Sequence, residues 1–327
     1  LDVILDRAWT AGATAVLLRD NRAPAMGLAG RVLPLPNTTA DDGRVVHEIL
    51  DQAATPSHVD QLDIEGFCRF VYRTGGASKT LVRCTMVRDS GALFAWVRRI
   101  GDEHLPSHAS GWLPVSVRNL MPETGLVLVA GPMGQGKTTT ATALTAMCHQ
   151  AMDQTLMVAD PLERRLPDEG VGVLQRQIPE DVPNAGRAVG DALRLEARLV
   201  LVDIPRPEAV AVDLLALAGQ GRLVIATWTA SSSVAAVEAL MDALPPSLSH
   251  TERARRTRNL RSVVGVRLMP ARAGGVLPIF ETLQLNQVVL SAVTEARLGQ
   301  SAGTDAQELC TLSFEASMAA LKSRGLI

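Results

Sequence analysis

Residues 126–138 read Leu126-Val127-Leu128-Val129-Ala130-Gly131-Pro132-Met133-Gly134-Gln135-Gly136-Lys137-Thr138. An uncharged apolar run leads into glycines, a lysine and a threonine, and residues 139–147 are helix-compatible. That order predicts a buried strand, a phosphate loop and the first turn of a helix, with Gly131 to Thr138 matching G-x-x-x-x-G-K-[ST] in full. A triphosphate is gripped mostly by backbone N–H groups, which approach closely only where side chains are missing. Gly131, Gly134 and Gly136 supply that approach, and Gln135 and Thr139 complete the loop and helix start. Lys137 can reach the β and γ oxygens, the Thr138 hydroxyl can ligate Mg²⁺, and the helix aims its N-terminal dipole at the phosphates. The alternative is a chance glycine-rich turn, against which stand strand, loop and helix in register. ATP and Mg²⁺ are the expected ligands.

Outward from this loop, strand-like runs at 155–159, 199–202 and 223–226 alternate with helical patterns at 184–195 and 208–217. The alternation predicts an α/β domain on a parallel sheet. Ala159-Asp160-Pro161-Leu162-Glu163 follows one strand at its carboxyl end, where such folds place their chemistry. Asp160 and Glu163 are thus candidates to order water or metal, although an acidic turn after a strand is also ordinary loop chemistry. Leu199 to Val202 followed by Asp203 has the form of a Walker B strand, whose carboxylate holds Mg²⁺ through water. Ile204 and Pro205 come next, so no glutamate adjoins Asp203 to polarise water. Thr227 to Ala230 end the next strand, where a hydroxyl can sense a γ-phosphate but brings no positive charge. Arg253, Arg255, Arg256, Arg258 and Arg261 read either as a phosphate patch or as one side of an amphipathic helix with Leu260, Val263 and Val264, the helix being favoured.

The 327 residues, 47% hydrophobic, are enough for two domains. Residues 1–105 read as a small α+β module: helices at 1–11 and 45–53, a strand at 16–18, and a meander at 66–73, 79–87 and 93–99. Residues 106–122 read as a linker with one short helix, residues 123–327 as the ATPase domain, and residues 286–327 within it as mostly helical with a break at 299–304. A net charge of −2 and an aromatic content of 3% supply neither the general positive field nor the stacking platforms that nucleic acid needs, so no nucleic-acid partner is expected. Cys68, Cys84, Cys148 and Cys310 are far apart and form no C-x-x-C pair, which points to reduced thiols rather than a zinc site or a disulfide frame. No apolar run is long enough to span a bilayer, and the residues after Leu1 lack a secretory pattern, so a trimmed or processed start is expected.

With the phosphate loop, the Asp160-Pro161-Leu162-Glu163 turn and the strand at Val224 in place, the chain resembles the type IV pilus retraction (twitching motility) ATPases of the secretion-ATPase superfamily. The similarity runs from Gly12-Ala13-Thr14 through Arg83, Arg98 and the residues from Gly125. It continues at Ala192-Leu193-Arg194, 221–227, Glu281 and the closing residues 312–327, which end Arg324-Gly325-Leu326-Ile327. The resemblance implies a PAS-like module followed by a RecA-like ATPase domain. It also implies a homohexameric ring, cytoplasmic and peripheral to an inner membrane, working on a pilus or secretion platform protein. Arg83 and Arg98 match family arginines and are candidate catalytic cations acting between subunits; Glu163 and Asp203 are the candidate catalytic acids. Thr138, Asp203 and Asp160 are the candidate metal ligands.

The departures fall on the chemistry. Ala159 stands where the family carries a glutamate, and Asp203-Ile204 replaces Gly-Glu, although Arg206 still matches. Thr229 replaces a histidine, and Val288-Val289-Leu290 replaces a segment containing an arginine. Each loss of a water-orienting or charge-stabilising group costs on the order of 10² to 10³ in rate, and effects of groups acting together need not add. Two readings follow: a working ring motor with impaired hydrolysis, or an inactive nucleotide-binding subunit that regulates or scaffolds such a machine beside an active paralogue. A small-molecule kinase is disfavoured because no lid or acceptor site is recognisable.

Overall fold

A computed structural model describes residues 1–28, 31–75, 79–100, 113–152, 154–166, 172–285, 289 and 310–327. The chain divides into two compact units: Leu1–His104 with Asp160–Arg165 and Gln177–Pro183, and the remainder. The first unit therefore takes two segments from the middle of the chain in addition to the residues up to about 105 that the sequence suggested.

In the first unit, helix α1 (Asp2–Thr10) precedes strands β1 (Ala15–Arg19), β2 (Arg22–Leu28) and β3 (Arg31–Pro34). Helices α2 (Val45–Gln52) and α3 (Pro56–Glu65) lead to strands β4 (Phe67–Arg73), β5 (Leu81–Asp89) and β6 (Ala92–Arg99). The six strands form one antiparallel sheet in the order β3-β2-β1-β6-β5-β4. Alternation sorts its faces: Val82, Cys84 and Met86 of β5 enter the core with Leu5, Val16, Leu18, Ile49, Leu62 and Phe70, while Arg83, Thr85 and Val87 point the other way. Ser90 and Gly91, at φ of 52° and 86°, make the tight β5–β6 turn. Strands β2 and β3 and helix α3 were not anticipated. Only His58 and Leu62 of α3 are buried, too few for a periodic signal, and its ends are set by Pro56 in the first turn and by Gly66 in left-handed conformation after the last.

The second unit carries α4 (Val115–Arg118), β7 (Gly125–Gly131), α5 (Lys137–His149), β8 (Thr155–Ala159), β9 (Val173–Gln177), α6 (Ala185–Arg194), β10 (Leu199–Asp203) and α7 (Ala211–Gly219). Then come β11 (Leu223–Thr229), α8 (Ser233–Asp242), α9 (His250–Thr257), β12 (Leu260–Pro270), β13 (Val276–Gln284) and α10 (Phe314–Ser323). The sheet order is β13-β12-β7-β11-β10-β8-β9, with β7 an inner strand, third in the order and buried throughout. Strands β12, β7, β11, β10 and β8 run parallel, but β12 and β13 form an antiparallel hairpin. The fold is α/β, and the wholly parallel sheet expected from the sequence is in fact mixed.

The hairpin also corrects the reading of Leu260, Val263 and Val264 as one side of the arginine helix. Ser249 caps α9 with Glu252 in a reciprocal box, the helix ends at Thr257, and the apolar run from Leu260 is a buried strand against β7. A strand buried on both faces loses the alternation that separates strand from helix on paper. Of the C-terminal stretch expected to be helical, Phe314–Ser323 is so. The expected break at 299–304 and the linker residues 101–112 lie outside the described residues, as do Val288 and Leu290.

Candidate nucleotide-binding site

The loop between β7 and α5 is held by contacts that only its sequence permits. A Cβ added at Gly131 would stand 2.5 Å from the Val266 carbonyl oxygen, so the chain passes β12 there only without a side chain. Gly136 has φ of +87° and is the N-cap of α5, yet offers no side-chain oxygen. The first N–H groups of α5, at Lys137, Thr138 and Thr139, therefore meet no capping side chain, which leaves them directed at an anion. Gln135 pins the loop from the other side, its Oε1 accepting from the Leu268 N–H at 2.8 Å. The Lys137 Nζ donates to the Pro132 carbonyl at 2.9 Å, folding back along the loop. Burial draws the Lys137 pKa down, and the Asp203 carboxylate opposes that shift.

Asp203, half-buried at the end of β10, accepts at Oδ1 from the Thr227 hydroxyl of β11 at 2.7 Å. Across the sheet it pairs in register with Ala159, which is fully buried, and it is followed by Ile204, also buried. The two positions that differ from the family's carboxylates are thus enclosed apolar sites beside the one aspartate. Thr229 is exposed and pairs in register with Gly131 at the mouth of the loop. Loop, lysine, Thr138 and Asp203 thus belong to one unit and one end of one sheet.

The other sequence candidates lie in the first unit. Glu163 accepts from Arg83, and Asp160 accepts from Arg69 at 3.4 Å. Arg98 is opposite Arg83 in the β5–β6 register and is exposed. Glu163 and Arg83, both proposed for catalysis, are therefore brought to one another, and Asp160 belongs to the same unit as they do. Sequence reasoning missed Arg69 and the role of Thr227. Arg69 was legible in principle, because strand alternation puts it on the same face of β4 as Arg83 on β5. Among the described residues no cluster of three or more His, Cys, Asp or Glu is arranged to hold a metal, so any metal here needs hydroxyl or phosphate oxygens as partners. Glu281, buried, accepts from the Ser233 N–H at 2.7 Å and so serves the start of α8.

An α/β sheet with a phosphate-loop motif at the carboxyl end of an inner strand sets the class of this protein, and known proteins narrow it. No protein-family profile matches the chain. Over 243 residues, 73% of this chain and 70% of the other, it is 27% identical to the type IV pilus retraction ATPase PilT of Pseudomonas aeruginosa. Over 202 residues it is 28% identical to the uncharacterized protein YggR of Escherichia coli, of whose length the match spans 62%. The ATPase DotB of Legionella pneumophila shares the fold with a TM-score of 0.75 at 18% identity, covering 100% of this chain and 92% of that one. The pilus retraction motor PilT with bound ADP does so with a TM-score of 0.75 at 23% identity, over 99% and 93%. In sequence the chain is thus similar to pilus retraction and pilus ATPases, to a twitching motility protein and, over 38% of its length, to a type II secretion system protein E.

Proposed function

We propose that this chain is an ATP-binding subunit of a ring motor of the pilus-retraction or secretion kind, with hydrolysis impaired. The observation that carries the reading is the uncapped start of α5 behind the Gly131–Thr138 loop, with the Lys137 ammonium and the Asp203 carboxylate interacting beside it. The unit built on the seven-stranded sheet is the RecA-like ATPase core, and the six-stranded unit is the PAS-like module. PilT, named a retraction motor and solved with ADP, supports nucleotide use by a chain of this fold.

In this site the loop N–H groups and Lys137 would hold the phosphates, and the Thr138 hydroxyl with Asp203 would hold Mg²⁺, which when bound would supply charge neutralisation to the phosphate oxygens. Thr227 holds Asp203 in place. Ala159 and Ile204 supply no carboxylate to orient water, and Thr229 supplies no cation, so binding outlasts turnover. The ring is a homohexamer in which Arg98, exposed and opposite Arg83, is the cation available to a neighbouring site. Its partners are an inner-membrane platform protein and an active paralogous ATPase, with the ring cytoplasmic and peripheral to that membrane. No described helix is long and apolar enough to cross a membrane.

The second reading, an inactive regulatory or scaffold subunit, is favoured by Ala159, fully buried beside Asp203 and without a group to orient water. One preparation assayed for steady-state phosphate release and titrated with ATP by calorimetry separates the two. Slow, saturable turnover supports the impaired motor. Binding without turnover supports the scaffold, and no binding overturns both.

A further inference from the structure

The end of the seven-stranded sheet opposite the phosphate loop carries a row of arginines that the nucleotide site does not use. Arg198 immediately precedes β10 and Arg222 immediately precedes β11; their carbonyls accept from Leu223 at 3.0 Å and from Gly125 at 2.8 Å, on successive rungs of the sheet. Arg261 lies at the start of β12, with its Cγ so near Gly125 that a Cβ there would stand 2.3 Å from it. Neighbouring strands are about 4.8 Å apart, so these three residues stand along a single edge, the half-buried Arg222 donating to Gln220. Arg255 and Arg258, in the last turn and C-cap of α9, end against the same edge. Arg198, Arg255, Arg258 and Arg261 are exposed, and Arg255 attracts the Glu252 carboxylate through space.

Helix C-termini account for part of this charge. Helices α6, α7 and α9 all end at this edge, and each carries about half a negative charge at its C-terminus. Five arginines exceed that, and the exposed acids nearby are Glu123, Glu196 and, bonded to Ser249, Glu252. Beside the arginines Leu193 and Leu195, at the end of α6, are 44% and 42% exposed. Arginine heads interleaved with exposed leucines, with no aromatic ring to stack a base, suit phosphate headgroups over an apolar layer better than they suit nucleic acid.

We propose that this arginine edge is a contact surface for an anionic lipid bilayer, on the opposite end of the sheet from the nucleotide. The surface does not depend on whether ATP is hydrolysed. The test is co-sedimentation of the full chain with vesicles of phosphatidylcholine, with and without phosphatidylglycerol, at low and high salt. Binding is expected only with phosphatidylglycerol, and it weakens with salt. Arg198→Gln, Arg255→Gln and Arg258→Gln together are expected to weaken it about 100-fold, whereas Arg22→Gln, Arg31→Gln and Arg99→Gln, equal in charge, leave it within a few-fold. Circular dichroism confirms that both triple variants are folded.

Equal weakening by both triple variants, or equal binding to both vesicle types, overturns the proposal. So does competition by inorganic phosphate beyond that of chloride at the same ionic strength, which indicates a discrete phosphate pocket. A first triple variant that keeps vesicle binding but loses its oligomeric mass in light scattering overturns it in favour of a contact between copies.

Discussion

Thr227 decides what Asp203 is able to do. A carboxylate on the last residue of a strand swings freely unless something holds it, and here a buried hydroxyl on the neighbouring strand does so at 2.7 Å. Thr227→Val is therefore expected to lower ATP affinity about tenfold in Mg²⁺ while leaving affinity in a chelator unchanged, with Thr227→Ser restoring it. Calorimetry in the two buffers checks this, and an equal loss in both would refute a metal-side role. Lys137→Ala removes a charge-assisted contact and is expected to weaken ATP binding about 100-fold. At Ala159 the effects pull in opposite directions. A glutamate there gains the carboxylate that the family uses, but the position is fully buried against Asp203, so Ala159→Glu costs about 2–4 kcal/mol and lowers Tm. Combined with Ile204→Glu it is still expected to raise phosphate release at least about tenfold, because a placed water matters more to turnover than global stability does, provided the protein stays folded. Thr229→His alone should do little. A high wild-type rate abolished by Asp203→Ala or Glu163→Ala would mean that those acids already do this work.

Elements explain why Glu163 is where it is. Strand alternation on β4 and β5 sends Arg69 and Arg83 to one face of the six-stranded sheet, and the segment Asp160–Arg165 joins that unit through them. Arg83→Ala leaves a half-buried carboxylate without its cation, and amide exchange in this segment should speed up by a factor that reports about 1–3 kcal/mol. Helix α3 adds a pH dependence to the same unit. His58 is buried, stacked on Phe70 at 4.7 Å, and accepts at Nδ1 from the Thr55 N–H, so the neutral ring carries its proton on Nε2. Its acidic neighbour is Glu180, at 3.7 Å, whose own pKa burial raises. Burial pushes the His58 pKa from 6.5 down to about 4. The unfolded chain therefore binds this proton more readily than the folded one. Stability from the neutral ring is complete above pH 6.5, declines as the pH falls toward about 4 and is flat below, a loss of at most about 3 kcal/mol visible in urea melts.

For the whole molecule, assembly into a ring is the part of the proposed function that mass measurements test. A ring completes its sites between subunits, so light scattering at high protein concentration with nucleotide is expected to give a hexameric mass, and a strictly monomeric mass would count against the motor reading. Because Arg83 is engaged with Glu163, Arg98→Ala is expected to lower any ATPase rate more than it lowers ATP affinity, by on the order of 10² if it reaches a neighbouring γ-phosphate.

What the sequence determined alone were the features written in short-range chemistry. The succession of strand, glycine turn and helix around Gly131 to Thr138 was legible because glycines, lysine and threonine at fixed spacing encode a backbone shape, and the end of β10 at Asp203 because a carboxylate after four apolar residues ends a buried strand. Most of the first unit's meander was legible from its alternation. Only the tertiary structure decided the rest. The β12–β13 hairpin was hidden because a strand buried on both faces has no period to read, and β2 and β3 because Pro24 and Gly27 interrupt the one and the other is only four residues long. The partners of Asp160 and Glu163 lie 91 and 80 residues away in the chain, and the row of arginines opposite the nucleotide is assembled from three strand starts and a helix end. Contacts of that kind arise from the order in which strands are laid side by side, which no local pattern states.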